Sequence, residues 1–515
     1  MTPADARSAA REAAAREAAR GTGLILFGAA VSQAIEYLYR FALARGLGVE
    51  GFGTFSQARS ALLVLAVLAA LGIGPGVKRF IALQREAGKG AEARRAIRDG
   101  ARVNVLSALA GGVALYFLAG PLAAAYRNPD LLLPVRVLAF ALPLRVGLDF
   151  VTPIGESVRS FRATVLARQI LDPSLRFLST VVLLLAGAGL PAIMGAYAGS
   201  LLVALVLATI LVARLDPVRQ LARGDAPSQL GGLLRFSLPL VAGGVFFDLA
   251  ERTDVLMIGL YQDEGQVGIY ASGSAIARSL LLLFGSTMPV IGTLAAEAVG
   301  REARGDMAHL LRRTSRWMLF FTAPIACGFF LYAREVISIL FGREFAGAAL
   351  TLRVLIPAYL ATVLAGPLAL FTNALGKTHW TLGTVALRTL VNVALNLVLI
   401  PRFGIVGAAA GTLIALLVSV VVHGWQLRSL VPLRGVYSGW GRPVAVMAVA
   451  MGVSWGVSRL ILATGLGGGD ADLVAGLMGG VVLLAVFWIG ARTLPGCIRE
   501  GDLALIGFLR ERIGR

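Results

Sequence analysis

Apolar stretches of about 20 residues, enough helix to cross the hydrocarbon core of a bilayer, follow one another along almost the whole chain. Read as helices, they predict about fourteen transmembrane spans: 21–45, 54–76, 101–124, 131–153, 163–186, 190–213, 234–259, 267–295, 316–340, 347–373, 380–400, 405–427, 442–464 and 473–493. The fourth and fifth are the most heavily charged, holding Arg145, Asp149, Arg168, Asp172 and Arg176. Residues 1–20 differ. They are Ala-rich with interspersed Arg and Glu, and they lack the apolar core that directly follows the basic start of a signal peptide. They read as a cytoplasmic surface helix leading into the first span.

Basic residues between the spans set an orientation. Lys78, Arg79, Arg85, Lys89, Arg94, Arg95, Arg98 and Arg102 follow the second span, and Arg214, Arg219 and Arg223 the sixth. Arg301, Arg304, Arg312 and Arg313 follow the eighth, and Arg428, Arg434 and Arg442 the twelfth. The alternate loops are short and poor in Lys and Arg, and two are acidic, at Asp263–Glu264 and Asp470–Asp472. Positive charge stays on the cytoplasmic side. Both termini are therefore expected in the cytoplasm, which an even span count permits.

An internal repeat accompanies the spans. Shifting the chain by 215 residues places Gly28 on Gly243, Glu36 on Glu251, Gly53 on Gly268 and Phe55 on Tyr270. Arg136-Val137-Leu138 matches Arg353-Val354-Leu355 at a shift of 217, and Gly195–Gly199 matches Gly407–Gly411 at 212. Six helices lie in the repeat, so both copies run in the same direction, as in parallel transporter repeats. The expectation is an all-α membrane protein with two pseudo-symmetric six-helix lobes around a central cleft, plus two C-terminal helices. Its segments are an N-terminal helix at 1–20, an N-lobe at 21–215 and a linker at 216–233. A C-lobe at 234–430 and the last helices and tail at 431–515 complete it. The Gly195/Gly199 and Gly407/Gly411 pairs read as sites of close helix approach.

Composition narrows the class. Of 515 residues, 57% are hydrophobic and 15% charged, against about 25% charged in soluble domains. The mean hydropathy is +0.78. These values exclude an ordinary soluble enzyme. The net charge of +19 would suggest nucleic acid in a soluble chain; here the basic residues sit between spans, so topology and anionic lipid account for them and no nucleic-acid partner is expected. Cys327 and Cys497 have no CxxC partner, which argues against a disulfide framework or a structural metal.

Three motifs imitate chemistry. Gly376-Lys377-Thr378 resembles the end of a phosphate-binding loop, but Phe371 stands where its first glycine belongs. Gly452-Val453-Ser454-Trp455-Gly456 fits a hydrolase elbow but lies within an apolar span rather than at a strand-to-helix turn. Asp470-Ala471-Asp472 is a lone acidic pair in a glycine-rich loop. His309, His379 and His423 have no ligand spacing. No catalytic constellation, metal site or cofactor is expected.

The informative residues are charges inside spans, expensive unless they face protein or water. Glu36 and Arg40 share a face of the first span; Asp248, Glu251, Arg252 and Asp254 lie in the seventh and Arg278 in the eighth. Arg388, Asn392 and Asn396 form a polar stripe down the eleventh. The plain reading is internal pairing: Glu36 with Arg40, Asp172 with Arg176, and Asp248 or Glu251 with Arg252. The sharper reading places Arg252, Arg40, Arg278, Arg145 and Arg388 in a hydrated cleft, where guanidinium forks match the oxygens of a phosphate or pyrophosphate. Glu36, Asp248, Glu251 and Asp254 are then candidates for a coupling cation or proton.

The run Arg-Gly-Leu-Gly-Val-Glu-Gly-Phe-Gly-Thr-Phe at 45–55, Gln266-Val267-Gly268-Ile269-Tyr270 and Phe341-Gly342-Arg343-Glu344-Phe345 resemble the polysaccharide flippases. These form the Wzx-type, or oligosaccharide-flippase, branch of the multidrug/oligosaccharidyl-lipid/polysaccharide exporter superfamily, which also holds the lipid II flippase and the MATE exporters. The resemblance covers roughly residues 20–495. It implies alternating-access transport of a lipid-linked oligosaccharide, usually on polyprenyl pyrophosphate, from the inner to the outer leaflet of the cytoplasmic membrane. Membrane lipids and polysaccharide polymerase or export proteins are the implied partners. The rivals are a MATE-type multidrug or cation antiporter, a membrane-embedded glycosyltransferase and a non-transporting assembly scaffold. Surplus intramembrane arginine counts against the first and short outer loops against the second.

Overall fold

The computed structural model describes residues 3–219, 227–300, 304–431, 440–464 and 471–493. Within them the regular elements are helices. In chain order these are α1 (Pro3–Ala70), α2 (Ile73–Glu86), α3 (Gly90–Ala125), α4 (Leu132–Ser157), α5 (Asp172–Leu185), α6 (Leu190–Ala213), the single turn α7 (Asp216–Arg219) and α8 (Leu230–Tyr261). There follow α9 (Glu264–Gly300), α10 (Arg304–Leu331), α11 (Ala333–Leu340), α12 (Ala348–Ala374), α13 (Thr378–Leu427), α14 (Gly441–Thr464) and α15 (Ala471–Thr493).

Among the described residues, ten helices are long and apolar enough to cross a membrane. Twelve of the fourteen expected segments fall within them, because α1 with α2 and α13 each carry two. Glycine divides the doubled helices. Gly48 in α1 has φ 68 and ψ −173, and Gly404 in α13 has φ 56 and ψ −137, a region that a Cβ disfavours. Two expected segments fall outside the ten, 163–186 and 267–295; the first carries Arg168, Asp172 and Arg176 and opens as a π-helix, Ala163–Leu171, before α5. Phe117 at 72% and Leu185 at 84% exposure are apolar surface suited to lipid rather than water.

Two compact units form, Met1–Arg252 and Thr253–Arg515. In the first, α4 packs on α3, α6, α1 and α2. The N-terminal part of α8 belongs here too. Arg79 of α2 stacks 4.2 Å from the ring centroid of Phe236. Buried Asp99 of α3 accepts hydrogen bonds from Ser228 Oγ (2.9 Å) and the Gln229 amide (3.1 Å), just before α8 begins. In the second unit α12 packs on α13, α9 and α10, and α14 pairs with α15. Ser454 and Ser458 of α14 fasten that pair, donating to the α15 carbonyls of Gly479 (2.7 Å) and Ala475 (2.9 Å), and the Tyr332 hydroxyl lies 2.5 Å from Ser454 Oγ and 2.9 Å from Ser458 Oγ. Ser454, in the elbow-like motif, is thus a buried packing residue inside α14.

The two small-residue pairs differ. A Cβ at Gly407 or Gly411 would collide with the preceding arm of α13, at Leu399 and Asn396, so these glycines fold α13 back on itself. Gly195 and Gly199 have open space around them and mark no close approach.

Candidate functional site

Each unit buries a polar cluster, and the two are built differently. In the first, the bend at Gly48 turns one arm of α1 toward the other, bringing Arg59 to Glu36 at 2.6 Å. Arg40 and Arg176 reach the same carboxylate, both at 3.4 Å. Arg176 also faces Asp172 at 3.5 Å, and Ser200 of α6 donates to Asp172 at 2.8 Å. The Arg176 guanidinium stacks on Tyr39 (5.2 Å) and Tyr197 (5.0 Å), a cation–π arrangement that desolvation strengthens. Three guanidiniums thus meet two carboxylates.

A second charged group in this unit involves α4, the π-helix and α8. Asp149 accepts a hydrogen bond from Arg145 at 3.0 Å and forms an ion pair with Arg168 at 2.8 Å, so two guanidiniums share one acid. Arg252 pairs with Asp248 at 2.7 Å, and the Arg145 charge also acts on Asp248. The side chains of Arg145, Arg168 and Arg252 stay partly exposed.

In the second unit Asp254 of α8 is 3% exposed and accepts four hydrogen bonds from neutral groups. Tyr270 Oη of α9 donates one. Asn392 Nδ2 (3.1 Å) and Asn396 Nδ2 (2.8 Å) come from the first arm of α13, and Thr412 Oγ1 (2.6 Å) from its second. Among the described residues no basic side chain pairs with this carboxylate. Asn396 Oδ1 is buried without a hydrogen-bond partner. A half-turn of either amide exchanges a donor for a carbonyl oxygen. The cage can therefore gather carboxylate, amide, hydroxyl and phenol oxygens around a small cation, the ligand type hard cations prefer.

A family model described as polysaccharide biosynthesis protein matches residues 42–350. The chain belongs to the polysaccharide biosynthesis protein family. Among curated proteins it is 23% identical over 227 residues to the probable low-salt glycan biosynthesis flippase Agl15 of Haloferax volcanii, covering 44% of this chain and 48% of that one. It is 25% identical over 313 residues to the succinoglycan biosynthesis transport protein ExoT of Rhizobium meliloti, covering 59% of each. The matched stretch thus spans about half the length of these relatives. A solved structure of the lipid II flippase MurJ aligns at TM-score 0.68 and 14% identity over 91% of this chain and 99% of that one. An inward-facing MATE transporter aligns at TM-score 0.65 and 16% identity over 77% and 94%. Together with the ten long apolar helices, these likenesses make this family member a multi-pass membrane protein of the MurJ and MATE fold.

The predicted site residues of this polysaccharide biosynthesis protein separate into groups. Arg40 joins Glu36 in the first cluster; Arg145 and Arg252 belong to the second charged group with Asp248, and Glu251 is half-buried one residue before Arg252. Arg278 donates to Tyr359 Oη at 3.0 Å. Arg388 lies one turn before Asn392 on α13. Asp254 sits in the neutral cage. Sequence reasoning passed over Arg59, Arg168 and Arg176 as site residues, although each is a charge inside a predicted span. It found Asn392 and Asn396 as a stripe without knowing what they faced.

Proposed function

We propose that this chain is an alternating-access flippase that carries a lipid-linked oligosaccharide, on polyprenyl pyrophosphate, to the outer leaflet for surface polysaccharide synthesis. It would sit in the cytoplasmic membrane with both termini inside, its lobes at 21–215 and 234–430 opening alternately. The observation that carries this reading is the surplus of guanidinium within the first unit: three against two around Glu36 and two against one at Asp149. A site rich in arginine suits a pyrophosphate, whose oxygens accept bidentate guanidinium bonds. Arg145, Arg168 and Arg252 are the reachable members; Arg176 is buried. Asp254 supplies coupling by taking a monovalent cation into its oxygen cage. Binding there would bias one lobe conformation by its differential affinity, as any ligand-driven switch requires.

The test is extraction of lipid-linked oligosaccharide from cells lacking the chain, beside cells carrying Arg252→Ala or Asp254→Asn at normal protein level. Surface polysaccharide should fall, with precursor accumulating on the inner leaflet, in all three. Unchanged precursor and polysaccharide in the deletion would overturn the reading and make drug or cation efflux the next assay.

A further inference from the structure

The repeat relates the two buried clusters position by position. The shift of 215 that sets Phe55 on Tyr270 also sets Tyr39 on Asp254. The shift of 212 that sets Gly199 on Gly411 sets Ser200 on Thr412. Between them, a shift of 216 sets Arg176 on Asn392 and Thr180 on Asn396, with Val182-Leu183 on Val398-Leu399. The structure brings the same positions together in each unit. Tyr39 meets Phe55 ring to ring at 5.8 Å, and Arg176 lies over Tyr39 at 5.2 Å. Ser200 bonds to Asp172, one turn before Arg176. In the second unit Asp254, Tyr270, Asn392 and Thr412 form the cage.

Two of the paired positions set the charge of each frame. Where the second unit has a carboxylate and an amide, the first has a phenol and a guanidinium. A buried carboxylate among neutral donors has room for a positive charge from outside. Its counterpart already holds one, balanced from the flanks by Glu36 and Asp172. We infer that Arg176 is a tethered cation in the position where the second unit takes an exchangeable one, so that the chain carries one exchangeable cation site, at Asp254. This rests on the reading of Asp254 as a cation site.

The experiment measures equilibrium binding of radioactive Na+ to the purified full-length chain in lipid nanodiscs, in choline buffer. Wild type should bind one Na+ and Asp254→Asn none. Asn392→Arg keeps Asp254 but supplies a tethered guanidinium, and should weaken Na+ binding at least about tenfold, a 1.4 kcal/mol effect. Tyr39→Asp with Arg176→Asn, placed in the Asp254→Asn background, should restore one Na+. Wild-type affinity in Asn392→Arg would overturn the inference, and this arm decides alone if the triple variant fails to fold. A folded triple variant that binds no Na+ would also overturn it. If wild type and Asp254→Asn bind equally little, the reading of Asp254 fails by itself. The inference about Arg176 then stands only if Tyr39→Asp with Arg176→Asn gains Na+ binding that wild type lacks, and falls otherwise.

Discussion

Gly411 offers a sharp test of the Asp254 cage, because its consequence can be separated from helix propensity. A Cβ at Gly411 would lie 2.5 Å from Asn396 Oδ1, where ordinary contacts between heavy atoms are about 3.5 Å or more. The amide must retreat by about 1 Å, and Asn396, fully buried, then loses its 2.8 Å bond to Asp254. A hydrogen bond to a charged group contributes about 1.5–3 kcal/mol. Replacing glycine by alanine within a helix returns about 1 kcal/mol. Gly411→Ala should therefore destabilise the chain by about 0.5–2 kcal/mol. Gly383 lies on the first arm of the same helix with nothing within 4 Å of a built Cβ. Gly383→Ala should stabilise by about 1 kcal/mol. Because propensity cancels between them, the two variants should differ by about 1.5–3 kcal/mol, the bond alone. Unfolding of the full-length chain in one detergent, followed by circular dichroism, measures the difference. Two alanine variants within about 0.5 kcal/mol of each other would refute the claim that Asn396 is held against Asp254 by the space at Gly411.

The spans were legible because a bilayer demands a fixed apolar length, and the bend at Gly48 falls between the expected first and second spans. Charge pairs along one helix were legible too. Glu36 with Arg40, Asp172 with Arg176 and Asp248, one of two acids offered, with Arg252 are each four residues apart and share a face; Arg145 with Asp149 has the same spacing but was not read as a pair. Partners from other helices were not. Arg59 reaches Glu36 only because α1 bends, and Arg168 reaches Asp149 from a π-helix whose wider turn no periodicity announces. The Asp254 cage shows the limit most clearly. Its donors come from α9 and both arms of α13, and spacing along a helix fixes a face but not what that face meets. The repeat did contain the answer in part, since Tyr270 falls within one matched run and Thr412 directly follows another. Read for orientation alone, it gave no hint that one copy holds an acid where the other holds a phenol.

Two further outcomes are expected. Glu36→Gln leaves three guanidiniums without the carboxylate they share, and breaking a buried pair in this way costs about 3–5 kcal/mol; a loss below about 1 kcal/mol in detergent unfolding would show that solvent screens the cluster as it does at a surface. The second concerns how α14 and α15 are fastened. A Cβ at Gly479 would overlap both Tyr332 Oη and Ser458 Oγ. Ser454 donates to the Gly479 carbonyl at 2.7 Å and Ser458 to that of Ala475 at 2.9 Å, so α15 cannot retreat without breaking both. Gly479→Ala should cost about 2–4 kcal/mol, two interhelical bonds at roughly 1–2 kcal/mol each. Tyr332→Phe alone removes the hydroxyl shared by Ser454 and Ser458 and should also destabilise, by about 1 kcal/mol. Together the two changes should be less harmful than their sum, because the phenylalanine removes the atom that the new methyl strikes. A double-mutant cycle reads that coupling directly. Strict additivity, within about 0.5 kcal/mol, would mean that α15 escapes the methyl without pressing on Tyr332, and that the hydroxyl does not set the distance between the last two helices and the rest of the unit.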